Sequence, residues 1–281
     1  MKNRKIIVQF QTPAGLKELD GIEVKFSVEK LASAVMNQAD IDICNLTKDD
    51  IEYLTTYTSQ FIAINERKRI RIFAGYEDTG VSLIFDGDIV EALPSNPPDI
   101  WLKCKALSGY YNAKTPISTV ISGTHSIKEI CASVAGFLEL SLNYMATCTK
   151  TVSDFEFTGG KTRLIKELNE ICDIVVYEDD GVLVVQDKGQ PRTDVGIRRI
   201  DETSGMIGIP KPDAVGIECK ILLDNSIKIG QKIYIESTSV PSASGEYCIY
   251  ELKHSGDLRG NEFYTEIKAR RLRSVRANAT S

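Results

Sequence analysis

A glycine-rich run ending in lysine, two histidines and a few acidic clusters are the residues of this 281-residue chain whose types suit chemistry. Gly159-Gly160-Lys161-Thr162 matches the end of a phosphate-binding loop, in which backbone N–H groups and the lysine surround phosphates. The glycine that pattern requires five positions before Gly160 is Phe155, and no parallel αβ pattern surrounds the run, so it reads as a plain helix N-terminus. Neither His125 nor His254 stands at metal-ligand spacing from a cysteine, an acid pair or the other histidine. Zinc chemistry therefore lacks ligands and Ser-His-Asp chemistry lacks its base. His125 precedes a helix cap and His254 lies beside a Ser-Gly turn, so both read as polar loop histidines. Glycoside hydrolysis needs two facing carboxylates, one kept protonated by its surroundings. Asp86/Asp88, Asp173 and Glu178-Asp179-Asp180 qualify by type alone, and most fall in predicted turns. The expectation is no catalytic, cofactor-binding or metal residues.

Charge directs the reading toward assembly. Lys+Arg number 34 against 39 Asp+Glu, a formal charge of -5 that supplies no global attraction to nucleic acid or anionic lipid. Arg67-Lys68-Arg69-x-Arg71 alternates with apolar residues as the solvated face of a strand would. Lys268-x-Arg270-Arg271-x-Arg273-x-x-Arg276 leads into a polar end, a tail that either seats on an acidic partner or stays solvated. Seven scattered cysteines without a C-x-x-C pair read as reduced, buried, small apolar residues, and no stretch approaches membrane-spanning length, so cytoplasmic synthesis is expected.

The elements that must position these residues are mostly strands. Ile22, Val24, Phe26 and Val28 alternate with Glu23, Lys25, Ser27 and Glu29, and the same period recurs at Ile70-Ala74, Ile100-Ala106 and Phe263-Ala269. Helical spacing predicts one helix opened by a Ser126/Glu129 capping box and carrying Ile127, Ile130, Cys131, Val134, Ala135 and Leu138. A second follows Gly160 and carries Leu164, Ile165, Leu168 and Ile171. It leads into a hairpin turning at Gly181. The expected fold is mainly β with an α+β middle unit: a first small antiparallel barrel over 1–107, the α+β unit over 108–202, and a second barrel with a basic tail over 203–281. The two outer thirds end alike, each reading glycine, strand, polar turn, acid, apolar, aromatic, strand, alanine. Trp101 and Tyr264 occupy matching places opposite the apolar sets, as candidates for a subunit interface; burial of Trp101 in its own barrel is the other reading.

The order of Gly21–Lys30, Ala39–Thr47, Ile70–Tyr76, Ile84–Ile89, Ile249–Asp257 and Phe263–Ile267 resembles the central hub of contractile phage baseplates, related to the hub part of type VI secretion spikes. The resemblance implies a homotrimer whose two tube-like barrels per subunit form a pseudo-six-fold ring between a six-fold tail tube and a three-fold spike. It further implies tail tube, separate spike and baseplate wedge proteins as partners, with DNA only passing through the lumen, in a virion baseplate assembled in the host cytoplasm. A cell-wall hydrolase or glycan-binding module of the tail is the alternative.

Overall fold

The computed structural model describes residues 3–12, 15–55, 67–114 and 116–272. The first third comprises β1 (Arg4–Thr12), β2 (Gly15–Asp20), β3 (Val24–Leu31), β4 (Gln38–Cys44), α1 (Lys48–Leu54), β5 (Arg69–Tyr76), β6 (Gly80–Pro94) and β7 (Trp101–Leu107). The middle comprises α2 (Tyr110–Lys114), β8 (Ile117–Ser126), α3 (Ile127–Phe137), β9 (Ser141–Tyr144), β10 (Thr151–Gly159), α4 (Lys161–Ile171), β11 (Ile174–Asp179), β12 (Val182–Asp187) and β13 (Arg198–Ile200). The last third comprises β14 (Met206–Pro212), β15 (Gly216–Leu222), β16 (Lys232–Ile235), β17 (Gly245–Asp257) and β18 (Phe263–Arg271).

The alternating apolar residues do what period two demands. Val24, Phe26 and Val28 in β3, Ile70, Ile72 and Ala74 in β5, and Phe263, Thr265, Ile267 and Ala269 in β18 are all buried, and the residues between them are not. Strand pairing runs in one sheet, β14-β15-β18-β17-β3-β4-β7-β6-β5-β1-β2, with β16 joined to β17 and β13 to β16. The mainly β expectation is met. Among the described residues, however, the pairing closes no barrel, because β17 pairs with β3 and makes one sheet of the two outer thirds.

That sheet contains a repeat. Strands β3-β4-β7-β6 and β14-β15-β18-β17 follow the same order. In each, the last, long strand has an irregularity at the matching place: Ile89 faces Ala106 and Glu91 faces Lys105, as Ile249 faces Ala269 and Glu251 faces Lys268. Before this point each long strand pairs with a further strand, β5 for β6 and β16 for β17. A bulge adds a bend, so both strands turn from one layer into another at the same step.

Three apolar cores result. One lies under β1, β3–β7; another gathers α3, α4, β11 and β12; a third lies under β15–β18. The continuous apolar run of β12 is buried on both faces, Leu183 and Val185 in the middle core and Val184 in the third, which is why it lacks alternation. Both predicted helices form. Ser126 and Glu129 make the capping box in full, and Leu164, Ile165 and Leu168 of α4 are buried. Asp180 and Gly181, with φ of 49° and 85°, form the two-residue turn between β11 and β12.

The cysteine expectation needs correction. Cys148 and Cys172 form a disulfide, while Cys44, Cys104, Cys131, Cys219 and Cys248 are free. Packing of β10 and α4 on the middle core brings the two thiols together across 24 residues, a proximity no local spacing announces. Alkylation of the unfolded protein without reductant is expected to leave these two unlabelled, and reduction to cost roughly 3 kcal/mol through the entropy of the opened loop. Labelling of all seven would show that the bond does not form.

Candidate functional site: a buried ionic junction and the outer sheet face

The apolar phase of β3 ends in a lysine. Lys30 continues the parity of Val24, Phe26 and Val28 and is buried, so its ammonium needs partners inside the protein. They come from the tip of the β11–β12 hairpin: Lys30 Nζ lies 3.1 Å from Asp179 Oδ1 and 2.5 Å from Asp180 Oδ2. Arg192 Nη1 reaches the other oxygen of Asp179 at 3.1 Å and holds Asp194 through two further hydrogen bonds of 2.7 Å. Lys228 stands 3.8 Å from Asp180. Beside them Lys161 and Glu178 form a buried ion pair, and Asn37 Nδ2 donates to the Glu178 carbonyl at 3.0 Å.

For Lys30, Asp179, Asp180 and Arg192 burial is the largest influence, and the surrounding charges act against it. For Asp179, burial opposes ionisation, but Lys30, Lys228 and Arg192 overcome it and hold the carboxyl below its ordinary range. For Asp180 burial prevails and the carboxyl is raised. Lys30 loses to burial what Asp180 and Asp179 more than restore, so it stays charged. Each carboxylate here faces a cation. Such a network ties β3 of the first third to the middle hairpin and to the segment before β16, and presents no free acid to a substrate.

Several sequence-stated positions move accordingly. Glu178 and Asp179 belong to a buried strand, and only Asp180 sits in the turn. Asp86 and Asp88 also lie within a strand, β6, and are buried. Arg69 grips Asp86 through two bonds of 2.6 Å, Arg71 adds one of 3.0 Å, and Arg67 bonds Asp88 at 2.7 Å. The basic run is therefore a cross-strand ion-pair ladder, only partly solvated. Lys161, the lysine of the glycine-rich run, is spent on Glu178, and Phe155 packs in the middle core. His254 is no loop residue: it lies inside β17, buried, its Nδ1 2.9 Å from Thr265 Oγ1. His125 is no loop residue either: it is half-buried near the end of β8, with Nε2 3.0 Å from the Ser122 carbonyl. Among the described residues no three His, Cys, Asp or Glu side chains gather as a metal site would require.

The opposite, outer face of the sheet is a field of alternating charges. Lys268–Glu251 at 2.7 Å, Lys253–Glu29 at 3.1 Å and Lys25–Asp257 at 3.5 Å cross β18, β17 and β3 in register. Half-exposed pairs of this kind set register more than they add stability. Trp101 and Tyr264 emerge on this face, half-buried, at equivalent places in β7 and β18: Trp101 faces Cys44 and Tyr264 faces Leu222. Each ring carries a lysine, Lys25 at 5.0 Å and Lys220 at 3.2 Å. The structure keeps them apart, with β17, β3 and β4 between. Arg270 and Arg271 end β18, exposed, near the rings of Tyr250 and Tyr247 at 5.9 Å each. They border a cleft of about 570 Å³ that Lys232, Pro191 and Leu272 also line. Arg273 and Arg276 lie outside the described residues.

A family model described as "Baseplate hub gp41" matches residues 6–269, so it takes in the repeated sheet and the middle unit together. The chain belongs to the baseplate hub gp41 family. It is thus a structural component of a phage tail baseplate. Solved structures agree on the fold of this hub chain. The 43 kDa tail protein of prophage MuSo2 from Shewanella oneidensis superposes with a TM-score of 0.65 at 10% identity, over 96% of this chain and 98% of that one. The tail protein from Neisseria meningitidis MC58 gives 0.64 at 9% identity, over 94% and 96%. The E. coli c3393 protein, a type VI secretion component described as structurally similar to the T4 tail proteins gp27 and gp5, gives 0.61 at 9%, over 90% and 74%. No curated protein matches the chain by sequence. Among the described residues no helix is long and apolar enough to cross a membrane.

What sequence reasoning missed in the hub chain is the junction. A signal was present: Lys30 and His254 both fall on the apolar parity of their strands, where a polar residue announces a buried partner.

Proposed function

We propose that three copies of this hub chain close into a ring presenting six similar sheet positions, which joins a six-fold tail tube to a three-fold spike protein and lets DNA pass through its lumen. The repeat β3-β4-β7-β6 and β14-β15-β18-β17 carries this reading, because two alike units per chain become six in three copies. The contact β17–β3 supplies one unit-to-unit join inside each chain. In this assembly 1–107 and 203–281 are the tube-like units and 108–202 hangs outside, held by the Lys30 junction, where wedge proteins would meet it. Trp101 and Tyr264, at equivalent places on the outer sheet face, serve as contacts to neighbouring proteins, and Arg270 and Arg271 seat an acidic partner surface.

Light scattering on the purified protein is expected to give three times the 31.1 kDa chain mass, and with its tube and spike proteins a larger mass that contains three hub chains. Trp101→Ala is expected to weaken that assembly and leave a folded chain. A monomer under all these conditions would overturn the ring, and peptidoglycan digestion by the pure protein would favour the cell-wall reading instead.

A further inference from the structure

The repeat sets one row of the second unit against its counterpart in the first. In the first unit, Asp88 of β6 faces Arg69 of β5 and Leu107 of β7. Its buried carboxylate accepts from Arg67 Nε at 2.7 Å and from the Tyr111 N–H of α2 at 2.9 Å, so the chain covers it from within. In the second unit the same step places Cys248 of β17 between Lys232 of β16 and Arg270 of β18. The step before it still matches, since Glu246 holds Lys232 at 2.8 Å as Asp86 holds Arg69. What the second unit lacks is the central carboxylate. Burial pushes the Cys248 thiol up to about 11 against the influence of Arg270, so a neutral group stands where the first unit has an acid. Arg270 and Arg271 are exposed and have no ion-pair partner among the described residues, although Lys268, Lys253 and Lys25 on the same sheet each face an acid.

Lys232, Cys248 and Arg270 all line the cleft of about 570 Å³, a size ordinary for a ligand site, which runs between the middle unit and the last third. Val175 and Pro191 on one side and Ile249 and Leu272 on the other make part of it apolar. Tyr250, the extra residue at the irregularity of β17, has its ring 5.9 Å from the Arg270 guanidinium. We propose that this cleft binds an acidic segment of another polypeptide, with a carboxylate against Arg270 and Arg271 beside Cys248, in the place that Asp88 fills from within the first unit. The site rests on the reading of Arg270 and Arg271 as partner contacts and gives that contact its chemistry. Charge complementarity selects the occupant: guanidinium groups without a counter-charge offer paired N–H donors that suit carboxylates. The exposed carboxylate of Glu246 lines the same cleft and would repel the phosphates of a nucleic acid, whereas a polypeptide brings it N–H donors. Apolar side chains between the acids would meet Val175, Pro191 and Leu272.

The probe is a fluorescein-labelled, acetylated peptide of alternating leucine and glutamate, and its control carries glutamine in place of glutamate. Fluorescence anisotropy with the whole chain is expected to show binding of the acidic peptide alone. Binding should also slow alkylation of Cys248, the half-exposed thiol among the described free cysteines, as read by mass spectrometry. Arg270→Gln is expected to weaken binding roughly tenfold or more, the worth of one hydrogen bond to a charged group. Cys248→Asp supplies the carboxylate that the first unit has and should weaken binding at least as much, while Cys248→Ser binds as the parent does. Should Cys248→Asp fail to fold, Arg270→Gln decides. No binding, equal binding of both peptides, or binding that leaves Cys248 unprotected overturns the site, and so does tighter binding of a thymidine oligonucleotide than of the acidic peptide. If Arg270→Gln weakens assembly with the tube and spike proteins while Cys248 stays as reactive in the assembly as in the free chain, the partner contact stands and the cleft is wrong. If changing both arginines to glutamine leaves that assembly unaltered, the contact reading falls and the cleft with it.

Discussion

Lys30→Met is expected to destabilise the protein by about 3–5 kcal/mol, the usual cost of removing one partner from a buried ion pair. Methionine retains much of the lysine's volume and unbranched shape, so the loss measured is electrostatic more than steric. Lys30 is the closest cation to Asp180 at 2.5 Å; once it is gone, Lys228 at 3.8 Å is the one ion-pair partner left among the described residues. Asp179 keeps Arg192 at 3.1 Å, so the uncompensated charge falls mainly on Asp180. Adding Asp180→Asn to the variant removes that charge and is expected to recover part of the loss. The pH dependence has a definite sign. A carboxyl whose folded pKa lies above its unfolded value is penalised above the unfolded value and relieved as the pH falls. Asp180 is raised already by burial, and without Lys30 it rises further. The gap between parent and variant should therefore narrow as the pH falls toward about 4, the ordinary value of the unfolded carboxyl. Urea unfolding followed by two probes measures this, since three cores give no assurance of a single transition. A loss under about 1 kcal/mol would mean the junction is not a buried, paired network.

The second large effect is the acid sensitivity set by His254. Burial first, then the positive charges of Lys30 and Lys228, bring its pKa from the ordinary 6.5 down to about 3. Between these values the unfolded chain binds a proton that the folded chain refuses, so stability is complete above the unfolded value and declines as pH falls toward the folded one. At about 1.4 kcal/mol per pH unit, the decline from pH 7 to 4.5 should be roughly 2–3 kcal/mol. His254→Asn places a neutral polar atom where Nδ1 meets Thr265 and should flatten the profile over that range. A parent profile already flat, or an Asn variant as steep as the parent, would show that the imidazole is not held neutral.

Both effects arise from residues whose burial was written in the sequence and whose partners were not. Period two marks one face of β3 and β17 as apolar, and Lys30 and His254 share that face by parity alone. The partner of Lys30 lies 149 residues away in another unit, at the tip of a hairpin that the sequence identified as a hairpin but assigned to solvent. The same holds for Asp86, whose arginines come from the neighbouring strand, for Asp88, whose Arg67 comes from just before that strand, and for Cys148 and Cys172. Residue type suggested turns and reduced thiols there because local propensity carries no information about what packs above.

By itself the sequence determined the strands and their buried faces, the capping box at Ser126 and Glu129, the turn at Gly181 and the likeness of the two outer hairpins, since each depends on residues a few positions apart. Only the tertiary structure decided that β17 continues into β3, making one sheet where two closed barrels were expected, and that the middle hairpin anchors on Lys30. The physical reason is that alternation specifies which face of a strand is dry, whereas pairing depends on backbone groups that every strand carries alike. The choice of neighbour is therefore made by packing and charge across the whole chain.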